Sequence, residues 1–187
     1  SVENVLLPAL ETHLQPISSF VLICEGVNDE KPLAFPAGSN IDDCQLRIIV
    51  DPIDGTRPIM YNKRSAWILI GVAPNLGDAT TLSDIELAVQ IELPTTRAAV
   101  ADTLWAHRGE GAFGETVDLR TAERTPFRPA PSRAASIRGG FAMLANFFPV
   151  GKETLSRIEE DLIVTLFGDL SENKTAAFND QYLSTGG

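Results

Sequence analysis

The sequence is short of positive charge. Its 187 residues include 15 lysines and arginines against 25 aspartates and glutamates, a formal net charge of −10, and the isoelectric point is about 4.6. A chain this acidic lacks the basic footprint that a phosphodiester backbone requires, which excludes nucleic acid as its partner and favours a site that gathers cations. Cysteine is scarce too. Cys24 and Cys44 are the only two, and they make no metal-ligand pattern. Cys24 lies in an apolar run and reads as a buried thiol, which fits a reducing compartment. Long apolar runs are missing. The most apolar stretch, "SAWILIGVA", is far short of the ~20 residues a membrane-spanning helix needs. The N-terminal "SVENVLLPALETHLQP" has no basic segment and does not read as a signal peptide. The expectation is a soluble, cytoplasmic protein with no membrane partner.

What remains is an ordinary globular composition, 44% hydrophobic and 21% charged, long enough for one domain or two small ones. Val5, Leu6, Ala9, Leu10 and Leu14 recur at helical spacing and predict an amphipathic helix over residues 3–14, with Pro8 disturbing its first turns. "FVLICE" and "LRIIVD" read as strands. "AWILIGVAP", apolar throughout, reads as a strand buried on both faces. "DIELAVQIEL" alternates as a half-exposed strand does, and "DTLWAHRGEGAFGE" reads as a strand and a glycine-rich turn. The polar stretch "NDEKPLAFPAGSNIDD" predicts a long loop. Residues 121–137, with three prolines and several arginines, predict a connection between domains. Beyond it "IRGGFAMLA" is strand-like, and Leu155, Ile158, Leu162 and Ile163 share a helical face. Helices and strands in mixed order imply a layered α/β or α+β fold, divided into residues 1–126 and 127–187.

The chemistry concentrates in "RIIVDPIDGTRPIM". Asp51 ends an apolar strand, Asp54 follows three residues later, and both carboxylates can face one small volume. Two such groups repel unless a proton or a cation sits between them. Hard cations such as Mg²⁺ take oxygen ligands and keep waters for exchange, and a shared carboxylate can bridge two ions about 3.5–4 Å apart. Gly55 lets the backbone turn sharply or approach a ligand closely. Thr56 opens a predicted helix, where it suits both capping and the orienting of a water, and Pro58 fits the first turn. N–H groups at a helix start attract phosphate. The spacing suits metal-assisted attack on a phosphate ester. A bare D-x-x-D-G is also explained by an Asx-turn with a capping threonine.

The full string "DPIDGT" after an apolar strand resembles the signature of the inositol monophosphatase family. This is the lithium-sensitive, Mg²⁺-dependent superfamily that includes fructose-1,6-bisphosphatases and bisphosphate nucleotidases. "LICEG" presents Glu25 where that family has a glutamate at a strand end. "KRSAWILIGVA", "ELAVQIEL" and "LWAHRGEGAFG" are similar to its later elements, and the likeness weakens after about Pro126. The resemblance implies an αβαβα sugar-phosphatase sandwich, incomplete at its C-terminal end. It implies that Glu25, Asp51 and the Ile53 carbonyl bind one Mg²⁺, that Asp51 and Asp54 bind a second, and that Gly55 and Thr56 hold the phosphate. Thr56 would also orient the attacking water. Glu25, Asp51 and Thr56 are then the catalytic residues; Arg57, directly after Thr56, is a candidate substrate contact on its position alone. Homodimers are the usual assembly of that family.

Other residues carry weaker readings. Asp29 and Glu30 compete with Glu25 as ligands but read as a solvated loop. Arg57, Lys63 and Arg64 read equally as substrate contacts or as a surface paired with acids. His13 and His107 are isolated, and Trp67 and Trp105 read as core. The family's N-terminal Lys-x-Asp and Thr-x-Ala-Asp segment, which supplies a partner to the water, has no counterpart before Ser1. Its later Trp-Asp motif lies well downstream of a Gly/Ser-rich helix start, which "QYLSTGG" resembles, and the sequence stops there. Asp161, Asp169 and Asp180 stand outside the expected context. The expectation is a fragment one carboxylate short at its second metal position. Three functions follow: hydrolysis of inositol phosphate or a related sugar phosphate; hydrolysis of a nucleotide 3′-phosphate or fructose bisphosphate; or metal or partner binding without turnover.

Overall fold

The computed structural model describes residues 3–133, 135, 141–145, 150–167 and 182–186. The chain forms two compact units, Ser1–Ala130 and Pro131–Gly187.

The first unit is built on one mixed sheet. In chain order it comprises α1 (Glu3–His13), β1 (Phe20–Cys24), β2 (Leu33–Phe35), β3 (Leu46–Asp54), α2 (Thr56–Met60), β4 (Ala66–Pro74), β5 (Leu87–Leu93), β6 (Val100–His107), β7 (Gly111–Asp118) and β8 (Arg124–Phe127). The strands lie in the order β2-β1-β3-β4-β5-β6-β7-β8. β1 and β3 run parallel, and every other neighbouring pair in this sheet is antiparallel. The layered mixed fold expected from the sequence is the one observed.

Alternation along β1 and β3 decides which side becomes core. Phe20, Leu22, Cys24, Ile48 and Val50 point to one face and are buried. Leu6, Leu7, Leu10 and Leu14 pack against that cluster. The apolar side of α1 therefore differs from the expected stripe: Val5 is 74% exposed and Leu7 takes its place. Phe20 stacks on Phe35 with ring centroids 4.7 Å apart, which fixes β2 to the sheet edge. Cys24 and Cys44 are buried thiols with no disulfide between them.

Two strands occupy stretches that read as irregular. β2 lies inside the predicted loop, and β8 lies inside the predicted connection. Both are edge strands, stabilised by a neighbour rather than by local propensity. An edge also tolerates Pro126, whose missing N–H can face away from the ladder. The expected strand ending at Asp51 runs on to Asp54, with a register shift between the two aspartates. Such a bulge re-aims side chains at the rim of a sheet.

In the second unit β9 (Phe141–Ala145) pairs in parallel with β10 (Tyr182–Gly186), and α3 spans Lys152–Phe167. Asp161 is exposed on α3, and Asp169 and Asp180 lie outside the described residues. Among the described residues no helix is long and apolar enough to cross a membrane.

Candidate active site

Register brings Glu25 to Asp51. The parallel pairing of β1 and β3 sets Cys24 beside Val50. One step further the Glu25 N–H donates to the Val50 carbonyl at 3.0 Å. The period of two then puts the side chains of Glu25 and Asp51 on the face opposite the core, on strands about 4.8 Å apart. The two carboxyls meet. The Asp51 charge, and then the hydrogen bond the two side chains share, raise the pKa of Glu25 above the ordinary carboxylate value; desolvation and the charges of Glu30 and Asp54 add in the same direction.

The next residues fold on themselves. Asp51 Oδ1 accepts the Ile53 N–H at 3.0 Å, which is the Asx-turn that the sequence allows. Gly55 then takes the left-handed conformation, φ 87° and ψ 31°, and is the residue that caps α2. Thr56 is therefore the first residue of the helix rather than its cap. Its hydroxyl donates to the Ile53 carbonyl at 2.7 Å. A hydroxyl that donates one way keeps its lone pairs for a donor on the other side, and a carbonyl that accepts once has a second lone pair. The Asx-turn and the ligand roles therefore use different electron pairs.

The remaining predicted site residues are placed as follows. Asp54 is exposed and pairs in register with Trp67; its charge is the smallest of the influences on Glu25. Arg57 is exposed on α2, and Lys63 and Arg64 are exposed in the turn before β4. Asp29 sits in a tight exposed turn at Asn28–Glu30 and pairs with Lys31 at 3.7 Å. Among the described residues no group of three histidine, cysteine, aspartate or glutamate side chains is gathered closely enough to hold a metal ion. Glu25 and Asp51 form a pair, with Asp54 outside it. Two adjoining carboxylates, with the proton affinity of Glu25 raised, are the donor chemistry of a hard divalent cation, whose other positions backbone oxygens and water can fill.

Asp51 also lines a cavity of about 550 Å³ along the face opposite α1, and is its one charged residue among Ile49, Leu69, Ile85, Leu104 and Trp105. Trp105, expected in the core, thus borders this open groove, and its ring stacks on Phe113 at 6.0 Å. A clamp that the sequence reading missed holds the turn after α2. The Asn62 amide donates to the Thr96 hydroxyl at 2.8 Å and its oxygen accepts the Thr96 N–H at 2.9 Å. The signal for it is an asparagine in a turn, where a left-handed φ of 55° is tolerated.

No model of a known protein family matches the chain. The chain is 31% identical over 139 residues to a glucose-1-phosphate thymidylyltransferase of Streptomyces griseus, an alignment covering 72% of this chain and 48% of that one. Among solved structures it resembles Leishmania major fructose-1,6-bisphosphatase in apo form, with a TM-score of 0.50, 20% identity, and coverage of 95% of this chain and 54% of that one. It also resembles an IMPase/NADP phosphatase complexed with NADP and Ca²⁺, with a TM-score of 0.50, 15% identity, and coverage of 85% and 49%. The chain thus spans about half the length of the proteins it matches. The fold is the sandwich fold of the sugar phosphatases.

Proposed function

We propose that the chain belongs to the inositol monophosphatase superfamily and hydrolyses a small phosphomonoester, such as inositol phosphate or a related sugar phosphate, with divalent-cation assistance. The observation that carries this reading is the meeting of Glu25, just past β1, with Asp51, at the bulge of the parallel neighbour β3, shortly before the Gly55–Thr56 turn. Glu25, Asp51 and the Ile53 carbonyl would hold one Mg²⁺, and Asp51 and Asp54 would contribute to holding a second. When bound, Mg²⁺ supplies Lewis-acid stabilisation of the charge on the phosphoryl oxygens and makes water more acidic. The chain's own residues orient the reactants. The Gly55 and Thr56 N–H groups hold the phosphoryl group, and Arg57 contacts the substrate. The Thr56 hydroxyl, already donating to Ile53, accepts a hydrogen bond from the attacking water. Water attacks phosphorus in line, the bond from phosphorus to the alcohol oxygen breaks, and the alcohol leaves with a proton.

In this reading residues 1–126 carry metal and phosphate, and residues 127–187 begin the substrate-side domain. The protein works as a homodimer in a reducing cytoplasm. The curated relative's name supports a second reading, thymidylyl transfer to glucose 1-phosphate. One experiment separates the two. The protein is incubated with Mg²⁺ and a panel of phosphomonoesters, with and without Li⁺, and separately with thymidine triphosphate and glucose 1-phosphate. Lithium-sensitive release of inorganic phosphate supports hydrolysis. Pyrophosphate formation that depends on both transfer substrates, with no ester hydrolysis, overturns it.

A further inference from the structure

Packing does little to hold α2. None of its residues is buried, and Met60 and the following Tyr61 are 73% and 75% exposed. A helix this short does not keep its shape in water by itself. A series of hydrogen bonds does the holding. The Ile59 N–H donates to the Gly55 carbonyl at 3.3 Å, the Asn62 N–H to the Ile59 carbonyl at 2.9 Å, and the Lys63 N–H to the Pro58 carbonyl at 2.9 Å. The Asn62 side chain then carries the series out of the segment. It donates to the Thr96 hydroxyl at 2.8 Å and accepts the Thr96 N–H at 2.9 Å, across 34 positions of chain. The Arg97 guanidinium adds a bond to the Asn62 carbonyl at 3.5 Å. On the far side of the clamp the Ala98 N–H donates to the Thr95 carbonyl at 3.1 Å, which closes the connection between β5 and β6 into a turn.

Gly55 meets the same return a second time. A Cβ built on it would lie 3.6 Å from the Ala66 Cα and 3.7 Å from the Ser65 carbonyl oxygen. The turn therefore rests on the residues that follow the clamp. A shift at Asn62 reaches Gly55 by two routes, through Ile59 and through Ser65–Ala66. Asn62 itself has a φ of 55°, a conformation that asparagine adopts more readily than most residues. A carboxamide offers a donor and an acceptor side by side, so its two bonds to Thr96 fix orientation as well as distance.

We infer that Asn62 and Thr96 are positioning residues for the reaction: they hold the Gly55–Thr56 backbone in the place where it meets the phosphoryl group, and act through that backbone rather than on the substrate. This rests on the hydrolytic reading above, in which the Gly55 and Thr56 N–H groups hold the phosphoryl group. Misplacing such a group by about 1 Å can lower a rate by roughly 10²-fold.

Three variants separate the clamp from the backbone conformation that accompanies it. Asn62→Gly keeps a residue at ease in the left-handed region and removes the amide. Thr96→Val removes the hydroxyl and keeps the side chain's shape. Asn62→Asp keeps an acceptor for the Thr96 N–H and a second for the Thr96 hydroxyl, which turns to donate. With an aryl phosphate and inositol phosphate as substrates in Mg²⁺, Asn62→Gly and Thr96→Val should lower kcat by roughly tenfold or more. Mg²⁺ affinity should stay unchanged, and Asn62→Asp should recover most of the rate. Amide hydrogen exchange gives a readout that needs no turnover. The Ile59 amide should exchange roughly tenfold faster in Asn62→Gly, the scale of one or two lost hydrogen bonds. The Glu25 amide, bonded to Val50, should exchange as in the parent protein. Parental kcat in Asn62→Gly, or a Glu25 amide loosened as much as that of Ile59, overturns the inference and leaves the hydrolytic reading standing. If the parent protein cleaves neither ester, the hydrolytic reading fails and exchange alone decides the clamp. An Ile59 amide loosened in Asn62→Gly and protected again in Asn62→Asp keeps it, and an unchanged Ile59 amide sinks it.

Discussion

The Glu25 N–H donates to the Val50 carbonyl at 3.0 Å, and this one bond sets the register by which Glu25 faces Asp51. Parallel neighbours hold equivalent residues side by side, so the carboxylate just past β1 and the one at the bulge inside β3 are brought together. A cation bound at the proposed site would relieve their repulsion.

Asp51→Asn follows as the first prediction. It removes the charge that raises the Glu25 pKa and one ligand in the proposed site. Lost metal stabilisation amounts to several kcal/mol, so phosphate release should fall by roughly 10³-fold. The Glu25 pKa should move back toward its ordinary value, which carboxyl NMR reads directly. A variant with parental turnover would remove Asp51 from the chemistry.

Glu25 itself should report the cation. Its pKa is raised, so the folded ion-free protein holds this proton more tightly than the unfolded chain does. The resulting stabilisation is full below the unfolded value near 4.3 and is lost as pH rises through the raised folded value. Bound as proposed, Mg²⁺ would compete with that proton. Titrated in Mg²⁺, the Glu25 carboxyl should ionise at lower pH than in chelator, and thermal stability at neutral pH should rise with the ion. An identical Glu25 titration curve in both buffers would argue against ligation.

Much of this was legible in the sequence, for a physical reason. Apolar runs that each end in a carboxylate, "FVLICE" and "LRIIVD", mark strands whose ends open on a crevice, and β1 and β3 lie at those places. The edge strands were not legible. "LAF" and "RTPF" owe their conformation to hydrogen bonds with β1 and β7, which no local window contains. The helical stripe of α1 was misread at Val5 because the face a helix turns inward is settled by the sheet it meets. At Thr56 composition favoured a capping hydroxyl, yet the left-handed turn went to Gly55, which lacks a Cβ.

The edge strand β8 supplies a stability prediction. A Cβ added at Gly114 would lie 2.5 Å from Phe127 Cζ, with two further ring carbons within 2.9 Å. A ring moves as a rigid body, so Gly114→Ala should push Phe127 and β8 off the sheet. Overpacking of this kind costs about 1–3 kcal/mol and should lower Tm by several degrees, roughly 2–8 °C. Gly114→Ala/Phe127→Leu should recover part of the loss in the same melting experiment. No shift in the single variant would mean that β8 is not seated on Gly114.

Thr56 offers the sharpest division between structure and chemistry. Its hydroxyl donates to the Ile53 carbonyl at 2.7 Å, and the cap of α2 belongs to Gly55. Removing the hydroxyl therefore leaves the helix start intact. Ile53 loses one hydrogen bond at an exposed position, worth about 1 kcal/mol or less. If the same oxygen orients the attacking water, Thr56→Ala should lower kcat by roughly 10²-fold or more, the scale of positioned proton-transfer assistance. Mg²⁺ affinity should stay nearly unchanged, because the carboxylates are untouched. Thr56→Ser, which keeps the hydroxyl and drops only the methyl, should recover most of the rate. Steady-state kinetics with calorimetric Mg²⁺ titration on both variants checks all three outcomes. Normal turnover in Thr56→Ala would reduce this hydroxyl to a strut for the Asp51–Thr56 turn. The orienting of the water would then have to come from another group.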